Sequence, residues 1–221
     1  MVNLLELFAW SRSVWNVWEK LGYNVFSTDL IKYDWINYDI DILNFDYKKV
    51  PFIPDIIWAS PPCTTFSIAA CWYHRKPWNI TKEAILWDKI VKKTLEIIKY
   101  YEKINPNIKW YIENPRWLLR KMDFMQDLPI RHTVTYCSYW DIRMKPTDIW
   151  TNDINWKPLL KCHNYKYDKN WEIIDKHCHH ESARRWSSTW TQWLKNAHVR
   201  SKIPEYLCFD ILSNIKRFAI K

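Results

Sequence analysis

Short apolar runs alternate with amphipathic stretches along most of the chain. Asn3 to Phe8 is a brief apolar run that predicts a buried first strand. Ser13 to Leu21 then predicts a helix, and Gly22 stands where a helix C-terminus favours left-handed backbone. Tyr23 to Thr28 predicts a second strand ending at Asp29, and a weaker strand lies near Tyr38 to Ile42. Asp55 to Ala59 predicts a buried strand, ended by Ser60-Pro61-Pro62. Thr81 to Asn105 predicts the longest helix. Thr81 can cap it, Glu83 lies in the first turn where the helix dipole favours an acid, and Ile90, Val91, Leu95, Ile98 and Tyr101 recur at helical spacing. Lys109 to Ile112, His132 to Tyr136 and Thr147 to Thr151 predict later strands, and Pro204 to Arg217 a final amphipathic helix.

Strand and helix thus alternate, which predicts an α/β fold: a mostly parallel sheet with helices on both faces. A chain of 221 residues is long enough for one sizeable core. Residues 1–152 read as the main domain. Residues 153–195 are polar, without a clean period, and read as a small insertion; residues 196–221 read as a C-terminal helix packing back on the main domain. In open parallel sheets ligands bind beyond the carboxyl ends of the strands. That rule gathers Phe8, Trp10 and Ser11, then Asp29, Asp41, Cys63 and Glu113, along one edge. A loop between the first strand and its helix suits a nucleotide-like cofactor, and an acid ending the second strand suits a ribose diol.

Composition changes the picture in one respect. The chain has 17 tryptophans and one glycine, where roughly 7% glycine is usual. Tryptophan stands where glycine is wanted, as in Phe8-Ala9-Trp10-Ser11-Arg12-Ser13, between a strand and a helix. The expectation is that most of these tryptophans are glycines in the living protein, as when UGA codons that mean glycine are read as tryptophan. Arg185 to Trp193 likewise puts Trp186, Trp190 and Trp193 in a polar, loop-like stretch.

The net charge of +9 suits a polyanion such as nucleic acid, although lysine-rich coding alone also produces it. The six cysteines are scattered, and no signal peptide or 18-residue apolar span is present. The expectation is a reduced cytoplasmic chain with no membrane partner. Cys162-His163 and His177-Cys178-His179-His180 carry zinc-suited side chains, but not at a paired-ligand spacing. No metal site is expected; histidines near a polyanionic partner are the preferred account.

Ser60-Pro61-Pro62-Cys63 follows one buried strand and Glu113-Asn114-Pro115 leads on from another. Together they resemble the C5-cytosine-specific DNA methyltransferases, which carry a Pro-Cys loop and a Glu-Asn-Pro-type motif. The family's first motif, Phe-Ala-Gly-x-Gly, is similar to Phe8-Ala9-Trp10-Ser11-Arg12, with Arg12 at the second glycine. Tyr136 to Asn152 and His180 to Trp186 also look like phage-type members. Within that resemblance Trp58, Trp150 and Trp156 look like authentic tryptophans, whereas Trp10, Trp117, Trp140, Trp186, Trp190 and Trp193 look like displaced glycines, with Trp15 beside them.

The resemblance implies a Rossmann-like S-adenosylmethionine-dependent methyltransferase fold. It also implies a cytosine flipped out of double-stranded DNA, attacked by Cys63 at C6 and methylated at C5. Glu113 would hold the N3/N4 edge, and Arg143 would lie against the base or the cysteine. Phe8, Trp10, Ser11 and Pro62 would line the cofactor, Asp29 its ribose, and Asp41 and Ile42 its adenine. Residues 153–195 would recognise the target, with Arg184, Arg185, Lys195 and Arg200 as phosphate contacts. The expected protein is a monomer. A tRNA cytosine-5 methyltransferase and a catalytically decayed DNA-binding relative stay open. An adenine-N6 or cytosine-N4 enzyme is disfavoured by Cys63 following Pro62. Each residue also has a plainer reading: Cys63 as a buried structural thiol, Glu113 as a capping acid, Asp29 as a turn residue, Arg143 as a solvated charge.

Overall fold

A computed structural model describes residues 1–68, 70–162, 166–167, 169–170, 173–175, 180 and 196–219. A seven-stranded sheet forms its centre. The strands are β1 (Asn3–Leu7), β2 (Asn24–Asp29), β3 (Tyr38–Asp39), β4 (Ile56–Ala59), β5 (Lys109–Pro115), β6 (Ile130–Thr135) and β7 (Pro146–Thr151). Their spatial order is β3-β2-β1-β4-β5-β7-β6. β1 to β5 pair in parallel; β7 is antiparallel to both neighbours. The order reverses between β1 and β4, the kind of switch point beside which such sheets bind ligands.

Besides a single helical turn at Cys71–His74, the helices are α1 (Ser13–Leu21), α2 (Lys82–Ile104), α3 (Ala197–Ser201) and α4 (Glu205–Ala219). They bury the two faces separately. Leu5, Leu7, Ile57, Trp110, Ile112 and Trp150 meet Val91, Leu95 and Ile98 of α2 on one side. Leu4, Ile56, Trp58, Tyr111 and Ile149 meet Val14, Val17 and Trp18 of α1 and Leu207, Ile211 and Leu212 of α4 on the other. Strand alternation explains the split, since successive side chains point to opposite faces.

The helix ends are locally encoded. Thr81 accepts a hydrogen bond from the Ala84 amide and caps α2. Gly22 ends α1 at φ +69°, the left-handed backbone that glycine adopts freely.

Two features differ from the sequence reading. The strand expected near Tyr38 to Ile42 is only the two residues of β3, and Ile42 instead opens a 3-10 turn, Ile42–Asn44, followed by a second at Tyr47–Lys49. Asp41 and Asp46 side chains accept from the amides of Leu43 and Lys48, favouring single turns over a continued strand. β5 continues through Glu113-Asn114-Pro115 instead of ending at Ile112, because β7 pairs antiparallel along it, with Glu113 opposite Ile149 and Pro115 opposite Thr147.

Within 153–195 the described residues include one short antiparallel hairpin, Lys166–Tyr167 with Ile173–Asp175. No helix among the described residues is long and apolar enough to cross a membrane.

Candidate active site

Cys63 lies just beyond β4 and is half-buried. Pro61 and Pro62 lead into it, and the Cys63 carbonyl accepts from the amides of Phe66 and Ser67, folding the chain into a tight turn. That turn is pinned from outside. Arg75 donates to the Thr65 carbonyl (3.0 Å) and hydroxyl (3.0 Å), pairs with Asp88 of α2 (2.8 Å), and lies 4.2 Å over the Phe66 ring. On the β5 side, the Asn114 amide donates to the Pro61 carbonyl at 2.9 Å. The cysteine loop and the Glu-Asn-Pro strand are therefore locked together by the middle residue of that motif.

Glu113 is buried in β5, facing the loop that precedes β7. Its carboxylate accepts from the Tyr136 hydroxyl at 2.8 Å and lies 3.7 Å from the Lys145 ammonium. The same ammonium sits 4.6 Å from the centre of the Tyr136 ring. Burial pushes the Cys63 thiol above the usual cysteine range; the positive charges of Lys145 and Arg200 oppose that shift, and Glu113 adds to it. Cys63, Glu113, Lys145, Tyr136 and Arg200 thus form one electrostatic unit. At neutral pH its sulfur rests as a thiol, with cations nearby to ease loss of the proton.

Arg143 is placed differently from the expectation. Its guanidinium pairs with Asp141 and donates to the carbonyls of Val199 (3.1 Å), Arg200 (3.1 Å) and Lys202 (2.8 Å). All five N–H groups of an arginine are satisfied by such a set. Arg143 therefore ties the chain before β7 to α3, and the cation nearest the cysteine–glutamate pair on that segment is Lys145, two residues on. Arg200 lies in α3, half-buried, with its carbonyl receiving both Arg143 and Lys145 (3.4 Å). Arg184, Arg185 and Lys195 lie outside the described residues, as do Trp186, Trp190 and Trp193.

The expected cofactor residues gather beyond β1, β2 and β3. Phe8 (φ +65°) and Arg12 (φ +53°) both take left-handed backbone. The chain thus keeps at Arg12 the conformation for which the second glycine of the first motif is suited. The Asp29 carboxylate ends β2 and accepts from the backbone amides of Ile31, Trp10 and Leu30; burial nonetheless raises its pKa. Asp29 is therefore coupled directly to the β1–α1 loop. Asp41 accepts from the Leu43 amide, and Ile42 is buried behind it. Ser11 bonds the Ser13 hydroxyl (3.1 Å) and lines a small pocket with Ser13, Asn16 and Lys202. The Trp10 indole stands edge-on against His198 of α3, with ring centres 5.4 Å apart. Pro62 is half-buried between β4 and Cys63.

Sequence reasoning missed Lys145, Tyr136, Arg75 and Glu6. Glu6, central in β1, is buried, with one carboxylate oxygen that has no hydrogen-bond partner, and burial pushes its carboxyl up to about 8, helped by the charge of Asp29. Its signal was an acid inside an apolar strand run. The signal for Lys145 was its two-residue offset from Arg143, which places both cations against Tyr136.

No family model matches the chain. It is 30% identical over 167 residues to a probable DNA (cytosine-5)-methyltransferase of frog virus 3 (isolate Goorha), an alignment covering 68% of this chain and 71% of that relative. Among solved structures it is similar to a mutant DNMT2 from Spodoptera frugiperda (14% identity, TM-score 0.43), covering 74% of this chain and 54% of that one. It is also similar to a type I restriction-modification methyltransferase subunit from Streptococcus thermophilus (14% identity, TM-score 0.39), covering 70% of this chain and 40% of that one. The chain thus spans about half the length of these solved structures. On the strength of the viral relative, the chain belongs to the DNA (cytosine-5)-methyltransferase family.

Proposed function

We propose that the chain methylates C5 of cytosine in double-stranded DNA, with Cys63 as nucleophile, using S-adenosylmethionine. The observation that carries this is the locked pair of Cys63 and Glu113 at adjacent strand ends, with Lys145 beside both.

The residues beyond β1 to β3 fit a nucleoside cofactor. Asp29 offers an acid at the end of β2 for ribose hydroxyls, and Ile42 an apolar contact for a purine. Trp10 is the misfit: an indole occupies the loop where a backbone without a side chain would come closest. We propose that Trp10, with Trp117 and Trp140, stands in place of glycine in the protein as made by its own cell. S-adenosylmethionine, when bound, supplies an electrophilic methyl group on a sulfonium.

Cytosine C5 is a poor nucleophile. Lys145 lowers the cost of forming the Cys63 thiolate, and that sulfur bonds to C6. The electron pair this releases makes C5 nucleophilic. Glu113, held by Tyr136, hydrogen-bonds the N3/N4 edge and favours the protonated ring of the adduct. After methylation a base removes the C5 proton, the electron pair returns, the sulfur–C6 bond breaks and the thiolate is restored. Arg143 has a positioning role, through α3. Arg200 places positive charge at the rim for a phosphate.

The test is transfer of labelled methyl from S-adenosylmethionine to duplex DNA and, separately, to tRNA, using the chain as written and its Trp10→Gly variant. Label in DNA C5-methylcytosine, abolished by Cys63→Ala, is expected. Label confined to tRNA supports the tRNA reading instead. No transfer to either, with DNA still bound, supports a decayed binding protein.

A further inference from the structure

We propose that Cys137, Cys162 and His180 bind a zinc ion that staples the segment after β7 to the turn after β6. The ligand atoms of these three side chains all lie within 4.8 Å of one another. They come from three separate stretches of chain. Cys137 sits in the 3-10 turn Tyr136–Tyr139, Cys162 follows β7 by a loop, and His180 lies beyond the Lys166–Asp175 hairpin. Cys137 and His180 are buried.

Ligand chemistry and distance both suit zinc. Two thiolates and one imidazole make a borderline-soft set that zinc prefers and that magnesium or calcium does not. Zn–S of about 2.3 Å and Zn–N of about 2.0–2.1 Å at a tetrahedral angle put sulfur and nitrogen about 3.6 Å apart. Cys162 Sγ and His180 Nδ1 are 3.6 Å apart. A thiol–imidazole hydrogen bond would account for that one pair. It gives no reason for a second cysteine to converge on the same point from a different element.

The fold also supplies a need. The described residues of 153–180 contain only a two-strand hairpin, which is marginal in water on its own. Small elements of this kind gain stability from a staple. The stretch 159–162 is already laid along 135–139. The Leu159 amide donates to the Tyr139 hydroxyl (2.9 Å), the Ser138 hydroxyl to the Leu160 carbonyl (2.8 Å), and the Cys162 amide to the Thr135 hydroxyl (2.8 Å). The ion closes that seam and extends it to His180. Binding releases one proton from each thiol and takes the imidazole neutral; no electron is transferred. The fourth coordination position falls to water. Cys137 directly follows Tyr136, whose hydroxyl holds Glu113, so the staple also anchors one support of the active site.

Metal content of the full-length chain tests this independently of methyl transfer. After purification in zinc-supplemented, chelator-free buffer, one zinc per chain is expected by mass spectrometry of the metal. Cys162→Ser and His180→Ala should each retain less than a tenth of it, and Cys71→Ser, a buried cysteine outside the cluster, all of it. Should those variants fold poorly, cobalt(II) titration of the metal-stripped parent gives the same answer. A tetrahedral spectrum with a thiolate charge-transfer band, saturating at one equivalent and erased by zinc, is expected. A folded parent that holds no zinc and gives no such band overturns the proposal.

Discussion

Lys145 decides how readily the Cys63 sulfur becomes a nucleophile. Burial raises the thiol pKa and the Lys145 ammonium is the first charge to lower it, so removing that charge leaves Arg200 as the remaining cation against burial. Lys145→Met should therefore move the rise of Cys63 alkylation by iodoacetamide to higher pH, and slow alkylation several-fold at pH 8. An unchanged pH profile would show that Lys145 does not act on the thiol. The cysteine and the glutamate were legible in the sequence because Pro-Pro-Cys and Glu-Asn-Pro are short, contiguous signals at strand ends. Lys145 was not, because Arg143 two residues earlier offers the same charge. Only the carbonyls of Val199, Arg200 and Lys202 and the carboxylate of Asp141 show where that arginine is spent. Those partners are distant in sequence or look like ordinary surface residues.

The turn after β6 carries a bulky residue in a conformation suited to glycine. Trp140 ends the 3-10 turn at φ +61°, is 67% exposed, and touches Tyr206 at a ring-centre distance of 5.1 Å. Left-handed backbone costs a non-glycine residue about 1–2 kcal/mol. An exposed ring pair returns about 0.5 kcal/mol. Trp140→Gly should thus stabilise the protein by about 1 kcal/mol, read as a higher urea midpoint with an unchanged slope. A lower midpoint would mean that the indole is native to this site. The tryptophans divide along the same line. Trp58, Trp150 and Trp156 are fully buried among the core residues, together with Trp18 and Trp110, whereas Trp10, Trp15, Trp117 and Trp140 lie outside that set. Helix and strand positions were largely readable from periodicity and caps, as at Ser13–Leu21 with Gly22. The reversed direction of β7 was not readable. A strand buried on both faces has the same apolar pattern whichever way it runs.

Across the whole molecule, the sheet brings a buried acid into the middle of its core. Glu6 shares a face with Leu4, under α1 and α4, and burial pushes its carboxyl up to about 8. The folded state therefore binds the Glu6 proton more tightly than the unfolded chain does. Its favourable contribution is complete below the usual glutamate pKa, declines as pH rises, and is lost above about pH 8. The loss is on the order of a few kcal/mol. Glu6→Gln should flatten the fall in melting temperature between pH 5 and 8 and melt higher than the parent at pH 8. Parallel pH profiles would place that dependence elsewhere.

The central claim concerns a covalent bond, and trapping that bond tests it most directly. A duplex containing 5-fluorocytosine cannot lose a proton from C5, so the Cys63–C6 adduct persists after methyl transfer. Incubated with S-adenosylmethionine and the chain as written or its Trp10→Gly variant, this duplex should yield a stable protein–DNA adduct. Peptide mapping should locate it at Cys63, and Cys63→Ala should abolish it. Binding of the duplex by both proteins without any adduct, or an adduct at another cysteine, would contradict the account.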